Sequence, residues 1–254
     1  MNLFGMETYE RMVRQEIASW QSEIRRGPSL ISQLSQGLQE RLNKFIPEKA
    51  HQVITAAIKQ MVRAVLFGSE FISGEPLSDL PLEQREVLVR ERIGRYKKMA
   101  AASGFSTGTG GFLLSLADFP ILLSLKMKLL FDLAGLYGFN VKNYQERVFI
   151  LYVFQLAFSS PEIRMLTYER VIGWEDYRKE LPADINEFDW RTFQQEYRDV
   201  IDLAKMLQMV PGFGAIVGAY ANHRLVDKLG VTAMNSFRLR LFATKRIDGP
   251  PSYN

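Results

Sequence analysis

The sequence contains no cysteine among its 254 residues. This absence excludes a disulfide framework, a thiolate nucleophile and any metal site with cysteine ligands. It also excludes prenyl and palmitoyl anchors, because both are attached to cysteine. The two histidines, His51 and His223, stand far apart, and no His-Glu-x-x-His spacing occurs. The sequence therefore predicts no metal site and no other cofactor.

A strong excess of charge is also lacking. The net charge is +4 at pH 7, far from the dense basic surface of a dedicated nucleic-acid-binding protein, so we expect no nucleic-acid partner. The first ten residues lack a basic region followed by an apolar one, so no secretory signal is predicted. We therefore expect a cytoplasmic protein.

Apolar residues recur at intervals of three and four along most of the chain, which is the spacing of one face of an α-helix. Strand-like alternation is absent, so the sequence predicts an all-α multi-helix bundle in one domain spanning residues 1–254. The run 148–158 has the propensities of a strand, but its flanks favour a buried helix. The other predicted helices include 6–24, 28–46, 47–66 and 81–102.

Charge separates along the second half of the chain. Residues 161–209 contain eleven acids and seven bases, whereas residues 210–254 contain six bases and two acids. Two complementary helical faces that pack together would explain this pattern.

Two segments rich in glycine are the most unusual feature. Small residues four apart form a flat groove on a helix, and a second helix can then approach closely. We therefore predict two glycine-rich helical hairpins packed face to face. Their structural positions are Gly104, Gly108, Gly110, Gly111, Asp118 and Pro120 in the first, and Pro211, Gly212, Gly214, Gly218 and Asn222 in the second.

Membrane insertion of the first segment is only marginally unfavourable. Residues 111–138 include four charges, whose insertion into lipid costs roughly 10–14 kcal/mol. The apolar side chains of the same segment gain less than this on insertion. The shorter window 107–125 has one charge, and its insertion cost is nearly equal to the free energy that its apolar side chains gain in lipid. We expect no stable transmembrane helix. A hairpin that enters the lipid interface and returns is the alternative that this comparison leaves.

Asp118 is the most tempting catalytic residue, because an acid in an apolar run often has a shifted pKa and a chemical role. The order Asp118-Phe119-Pro120 is nevertheless typical of an N-cap followed by a proline in the first helical turn. We therefore expect Asp118 to cap a helix. In the alternative, Asp118 and Asn222 point into a pocket between the two glycine-rich segments.

The C-terminal run alternates basic and apolar residues. Near an anionic membrane each lysine or arginine contributes about 1 kcal/mol. The alternative is a final helix docked on the acidic region. In the membrane interpretation, the residues that contact lipid or a partner are Arg238, Arg240, Lys245 and Arg246.

Several blocks together resemble the EcsC family of bacterial proteins. They are GFSTGTGG at 104–111, LADFPILLSL at 116–125, LYG at 136–138, PGFGAIVGAYAN at 211–222 and FRLR at 237–240. The resemblance covers roughly residues 88–245, an EcsC-like core on which the N-terminal helices of residues 1–66 would pack. It implies an α-helical domain linked to ABC-transporter function, with no established reaction and no catalytic residues.

The sequence thus predicts a non-enzymatic accessory protein with unknown biochemical activity. We expect it to associate peripherally with the cytoplasmic face of the inner membrane, with anionic lipid, or with ABC-transporter subunits or another inner-membrane protein. A hydrolase or small-molecule-binding protein using Asp118 and Asn222 is the alternative, and a plain scaffold without membrane contact is a third interpretation.

Overall fold

Helices account for nearly all of the described chain. The computed structural model describes residues 3–26, 48–68, 71, 74–77, 79–106, 118–201 and 215–244. Its α-helices are α1 (Leu3–Arg25), α2 (Glu48–Phe67), α3 (Leu82–Ser106), α4 (Phe119–Leu136), α5 (Tyr144–Phe158), α6 (Pro161–Ile172), α7 (Trp174–Glu180), α8 (Trp190–Val200) and α9 (Ala215–Ala243). A short 3-10 turn covers Ile185–Glu187.

The predicted all-α class is confirmed, since these ranges contain no strand and only an isolated bridge between Ser159 and Ile201. The helices predicted at 6–24, 47–66, 81–102 and 148–158 are present. Most of the helix predicted at 28–46 lies outside the described residues. The same holds for the centres of both glycine-rich segments, so their packing as facing hairpins stays a prediction.

Helix α5 is the centre of the core. Its start is fixed by Asn143, whose side chain accepts a hydrogen bond from the backbone N–H of Gln145 at 2.9 Å. Most of its side chains are buried, including Val148, Phe149 and Phe154. A helix that is apolar on every side is stable only inside a protein, which is why this run with strand-like propensities became a core helix.

Helix α4 ends in a turn that needs glycine. Gly138 has φ +84°, a left-handed conformation that residues with a Cβ rarely adopt. The N–H of Phe139 donates to the carbonyl of Ala134 at 2.9 Å, which is the bonding pattern of a Schellman C-cap. The LYG block at 136–138 therefore contains the signal that stops α4.

The most extensive helix pairing joins α3 to α9. At one point along this pair, a Cβ added to Gly230 would lie 2.9 Å from two side-chain carbons of Ile93. Gly230 therefore permits close approach of the two helices. The spacing of small residues predicts such an approach at other glycines, whose packing lies outside the described residues, and it does not indicate Gly230.

Aromatic rings join the C-terminal half of α9 to the end of α4 and to α5. The ring of Phe237 lies 5.5 Å from that of Tyr137, 5.3 Å from that of Phe139 and 5.5 Å from that of Phe149, measured between centroids. The LYG and FRLR blocks, about a hundred residues apart in sequence, thus meet in the core.

Candidate functional site

Arg238, predicted to contact lipid or a partner, is instead a core residue that is 2% exposed. Its Nε and Nη2 donate to the two carboxylate oxygens of Glu86 on α3, both at 2.6 Å, and its Nη1 donates to Glu16 on α1 at 2.8 Å. Burial disfavours the charge of Arg238, but the hydrogen bonds to Glu86 and Glu16 outweigh burial and raise its pKa above the ordinary value.

Arg240 is also buried, at 3% exposed. Its guanidinium donates to both carboxylate oxygens of Glu146 on α5, at 2.6 and 3.0 Å, and to Glu175 on α7 at 2.8 Å. The guanidinium carbon lies 4.1 Å from the centre of the Phe139 ring and 4.4 Å from that of Phe149.

The prediction of lipid or partner contact is therefore wrong for Arg238 and Arg240. Each guanidinium is saturated by carboxylates inside the bundle, so neither is available to an external anion. The contact between Arg240 and Glu175 does link the basic C-terminal segment to the acidic one. Lys245 and Arg246 lie outside the described residues, and their membrane or partner contact stays a prediction.

Asp118 stands at the N-cap position of α4, and Pro120 lies in the first turn as predicted. The Asp118 side chain, however, makes no capping hydrogen bond, so its predicted capping role is wrong. Two features explain this outcome: the backbone of Asp118 is already helical, with φ −83° and ψ −7°, and Pro120 lacks the N–H that a cap would bind.

Asn222 is fully buried on α9, where its side-chain oxygen faces a buried lysine instead of Asp118. The ammonium of Lys126 on α4 lies 3.4 Å from Asn222 Oδ1 and 3.4 Å from the carbonyl oxygen of Leu122. No hydrogen bond joins Asp118 to Asn222 in the part of the chain that the structure describes. The pocket that the hydrolase alternative requires would lie between the two glycine-rich segments, whose centres are outside the described residues, so this alternative stays a prediction.

Lys126 is the functional candidate that sequence reasoning missed. Burial lowers its pKa from the ordinary 10.5 to about 7. In the sequence, Lys126 counted only as a charge opposing membrane insertion. The available signal was a lysine within an apolar stretch, but the sequence could not show that this side chain faces a second helix.

An open apolar groove of about 740 Å³ lies between α2, the end of α3 and the start of α4. Two side chains on its lining are strongly exposed, Ile121 at 66% and Met99 at 52%. Other residues on the lining include Ala57, Met61, Ala64 and Phe71. Two of the helices that line the groove, α3 and α4, end and begin on either side of the stretch 107–117 in the sequence.

Among the helices that the structure describes, none combines the length and apolarity needed to cross a membrane. Within the same residues, histidines and acids form no group that could hold a metal ion.

Comparison with known proteins gives one family. The sequence model of the EcsC protein family matches residues 11–242. The chain is 45% identical over 235 residues to Protein EcsC of Bacillus subtilis (strain 168), covering 92% of this chain and 97% of that protein. It is 28% identical over 239 residues to the uncharacterized protein YdbA of the same strain, covering 89% and 87%. No solved structure matches it significantly. The family match begins at residue 11, further toward the N-terminus than the range of roughly residues 88–245 over which the sequence motifs indicate the resemblance.

Proposed function

Because the chain belongs to the EcsC protein family, as its motifs indicated, we propose that it is a non-enzymatic accessory protein that binds the membrane surface. The contact is made by the apolar groove between α2, α3 and α4 together with the stretch 107–117. The observation that carries this proposal is the exposure of Ile121 and Met99 beside that stretch.

Ile121 and Met99 are exposed together on one apolar groove. Both lie on an apolar groove and are not scattered singly over a polar surface. An exposed apolar groove of this kind is a mark of interaction sites. The connecting stretch 107–117 adds four large apolar residues, Phe112, Leu113, Leu114 and Leu116, without a charge. Apolar side chains entering the lipid interface supply the hydrophobic part of peripheral membrane binding.

One basic residue, Lys128, lines the groove, and two others stand next to lining residues in the sequence. Lys98 precedes Met99 on α3, and Arg63 precedes Ala64 on α2, and both cations are exposed. Each cation near an anionic surface contributes about 1 kcal/mol of attraction. The groove therefore combines apolar area with positive charge, as expected for binding to anionic lipid.

The membrane proposal is tested by sedimentation with vesicles of phosphatidylglycerol and phosphatidylcholine. We expect the wild-type protein to bind, and Met99→Ser combined with Ile121→Ser to reduce partitioning about tenfold or more, since the two lost apolar contacts together remove about 1.5 kcal/mol or more. Leu166→Ser is the matched control, because Leu166 on α6 is 64% exposed, almost as much as Ile121. Equal loss in both variants, or no binding of the wild type, contradicts the proposal.

A transporter subunit is the protein partner that we propose at the membrane, following the link implied by the family resemblance. A photo-crosslinking residue placed at position 121 in cells distinguishes the two kinds of contact. Crosslinks to an integral membrane protein support the transporter partner, and crosslinks to lipid alone support direct membrane binding. The same residue at position 166 is the control and should give neither product.

A further inference from the structure

Lys126 occupies an unusual environment at the contact between α4 and α9. Its side chain is fully buried, and its two hydrogen-bond acceptors, Asn222 Oδ1 and the carbonyl oxygen of Leu122, are neutral. Both distances are 3.4 Å, longer than the usual 2.7–3.2 Å of a hydrogen bond from nitrogen to oxygen. A buried ammonium with only weak neutral partners is expensive, because desolvation is not repaid by an opposite charge.

Charged groups on the helices packed around α4 are engaged elsewhere or point to solvent. On α3, Arg92 and Tyr96 bind Asp132 of α4 itself, and Lys97 binds Asp227 of α9. Other titratable side chains that the structure describes on these helices are Lys59 and Arg63, exposed on α2, Arg147 of α5, which donates to backbone carbonyls, Arg224 of α9, which lies over the Tyr220 ring, and His223, which is half-buried next to Asn222 on α9. Burial is accordingly the cause of the lowered pKa of Lys126.

The position of the pair along the two helices is informative. Lys126 and Asn222 each lie about two turns from the start of their helix. Each helix starts at or just after a glycine-rich segment, 104–111 before α4 and 211–218 at the start of α9. Anything that separates α4 from α9 at this contact therefore also moves the ends of both helices that lead into the apolar segments.

We propose that Lys126 and Asn222 form a proton-operated latch between α4 and α9. The helices stay packed while the amine is neutral. When the amine takes up a proton from solvent, the ammonium favours water over its two weak partners, the N-terminal turns of α4 and α9 separate, and apolar surface is released to the membrane. This inference rests on the proposed membrane function.

The direction of the pH effect follows from the two states. In the open state Lys126 is hydrated and has the ordinary pKa of 10.5, whereas in the closed state its pKa is about 7. Between these values the open state binds more protons, so its population rises about tenfold for each pH unit that the pH falls. Below about pH 7 both states are protonated and the ratio no longer changes.

Amide hydrogen exchange in solution, without membranes, tests the latch. Protection factors in the N-terminal turns of α4 and α9, corrected for intrinsic rates, should be lower at about pH 7 than at about pH 9, by roughly tenfold per pH unit. Lys126→Met keeps the side-chain length without the amine and should abolish this difference, and Lys126→Ala should do the same. Lys179→Met, at an exposed site on α7, changes the formal charge equally and should retain it. The latch is overturned if wild-type protection does not change with pH or if Lys126→Met shows the wild-type change.

Vesicle binding of the same proteins then tests the coupling to the membrane. With phosphatidylglycerol vesicles, wild-type binding should be stronger at about pH 7 than at about pH 9, and Lys126→Met should bind weakly at both values. Equal binding of wild type and Lys126→Met at both values overturns the coupling. If exchange follows the latch but no variant binds vesicles, the proposed membrane function fails while the latch itself is supported.

Discussion

At the scale of single residues, Glu86 and Arg238 form an ion pair that is closed to solvent on both sides. The pair belongs to a network in which Tyr9 donates a hydrogen bond to Glu86 at 2.6 Å and Arg238 also reaches Glu16. Such a pair adds little net stability over apolar residues of the same shape, but removing one partner leaves a buried charge without compensation. Its contribution is therefore to specify how α1, α3 and α9 fit together.

Arg238→Met should lower the free energy of unfolding by about 3 kcal/mol, because buried Glu86 loses its bidentate partner. Glu86 then keeps only the half-exposed Arg90 at 3.3 Å and the hydroxyls of Tyr9 and Tyr137. Replacing both partners, with Glu86→Leu added to Arg238→Met, should recover a large part of that loss. Urea denaturation measures both effects. The control is Lys179→Met, which removes an exposed partner of Asp176 and should leave the midpoint unchanged. A small loss in Arg238→Met would contradict the assignment of a buried network.

At the scale of elements, the contact between α3 and α9 depends on a glycine whose neighbour is a large side chain. Ile93 fills the space beside Gly230, while nothing lies within 4 Å of the Cβ position of Gly94, the next residue of α3. Glycine within a helix normally costs about 1 kcal/mol relative to alanine. Gly230 therefore lowers the intrinsic stability of α9, and the close packing of α3 against α9 that it permits offsets this loss.

Alanine at these two glycines should have opposite effects. Gly94→Ala should raise the free energy of unfolding by about 0.5–1 kcal/mol, through helix propensity alone. Gly230→Ala should lower it by about 1 kcal/mol, because displacing Ile93 in a packed core costs more than the propensity returns. Thermal unfolding followed by circular dichroism measures both. Equal stabilisation by the two substitutions would show that Ile93 relaxes freely and that the helix contact is loose.

At the scale of the whole molecule, burial of tyrosine couples folding to alkaline pH. Burial, followed by the hydrogen bond to Glu86, raises the pKa of Tyr9 to about 12. Burial also raises the pKa values of Tyr96, Tyr137, Tyr152 and Tyr197 well above the ordinary 10.0. Because the unfolded chain ionises first, these groups contribute stability that is fully present below about pH 10 and is lost as the pH rises further.

A spectrophotometric titration of tyrosinate tests this dependence. Of the ten tyrosines, the five with strongly raised pKa values should ionise only in the alkaline unfolding transition, namely Tyr9, Tyr96, Tyr137, Tyr152 and Tyr197. In concentrated guanidinium chloride all should ionise together. Lys126→Met should leave this alkaline behaviour unchanged, which separates it from the latch. Uniform ionisation in the native protein would contradict the burial of these side chains.

Local patterns were sufficient for the elements. The helix at 81–102 follows from the charged run that begins at Pro81, and the helix at 148–158 follows from its length and its flanking residues. Pro120 in the first turn of α4 follows from its fixed φ. The chemistry around them was less predictable. Asp118 has the residue type of an N-cap but not the backbone conformation, and Asn222 meets a lysine that the sequence did not single out.

The sequence by itself determined the all-α class, the boundaries of several helices and membership of the EcsC family, because these depend on residue type and on spacing within short segments. Only the tertiary structure decided which charges are buried, since the partners of Arg238 and Arg240 lie on other helices, 152 positions away at Glu86 and 94 positions away at Glu146. The same holds for Lys126 and Gly230. Their roles arise from the helix that each one faces, and helical periodicity indicates an apolar face but not what covers it.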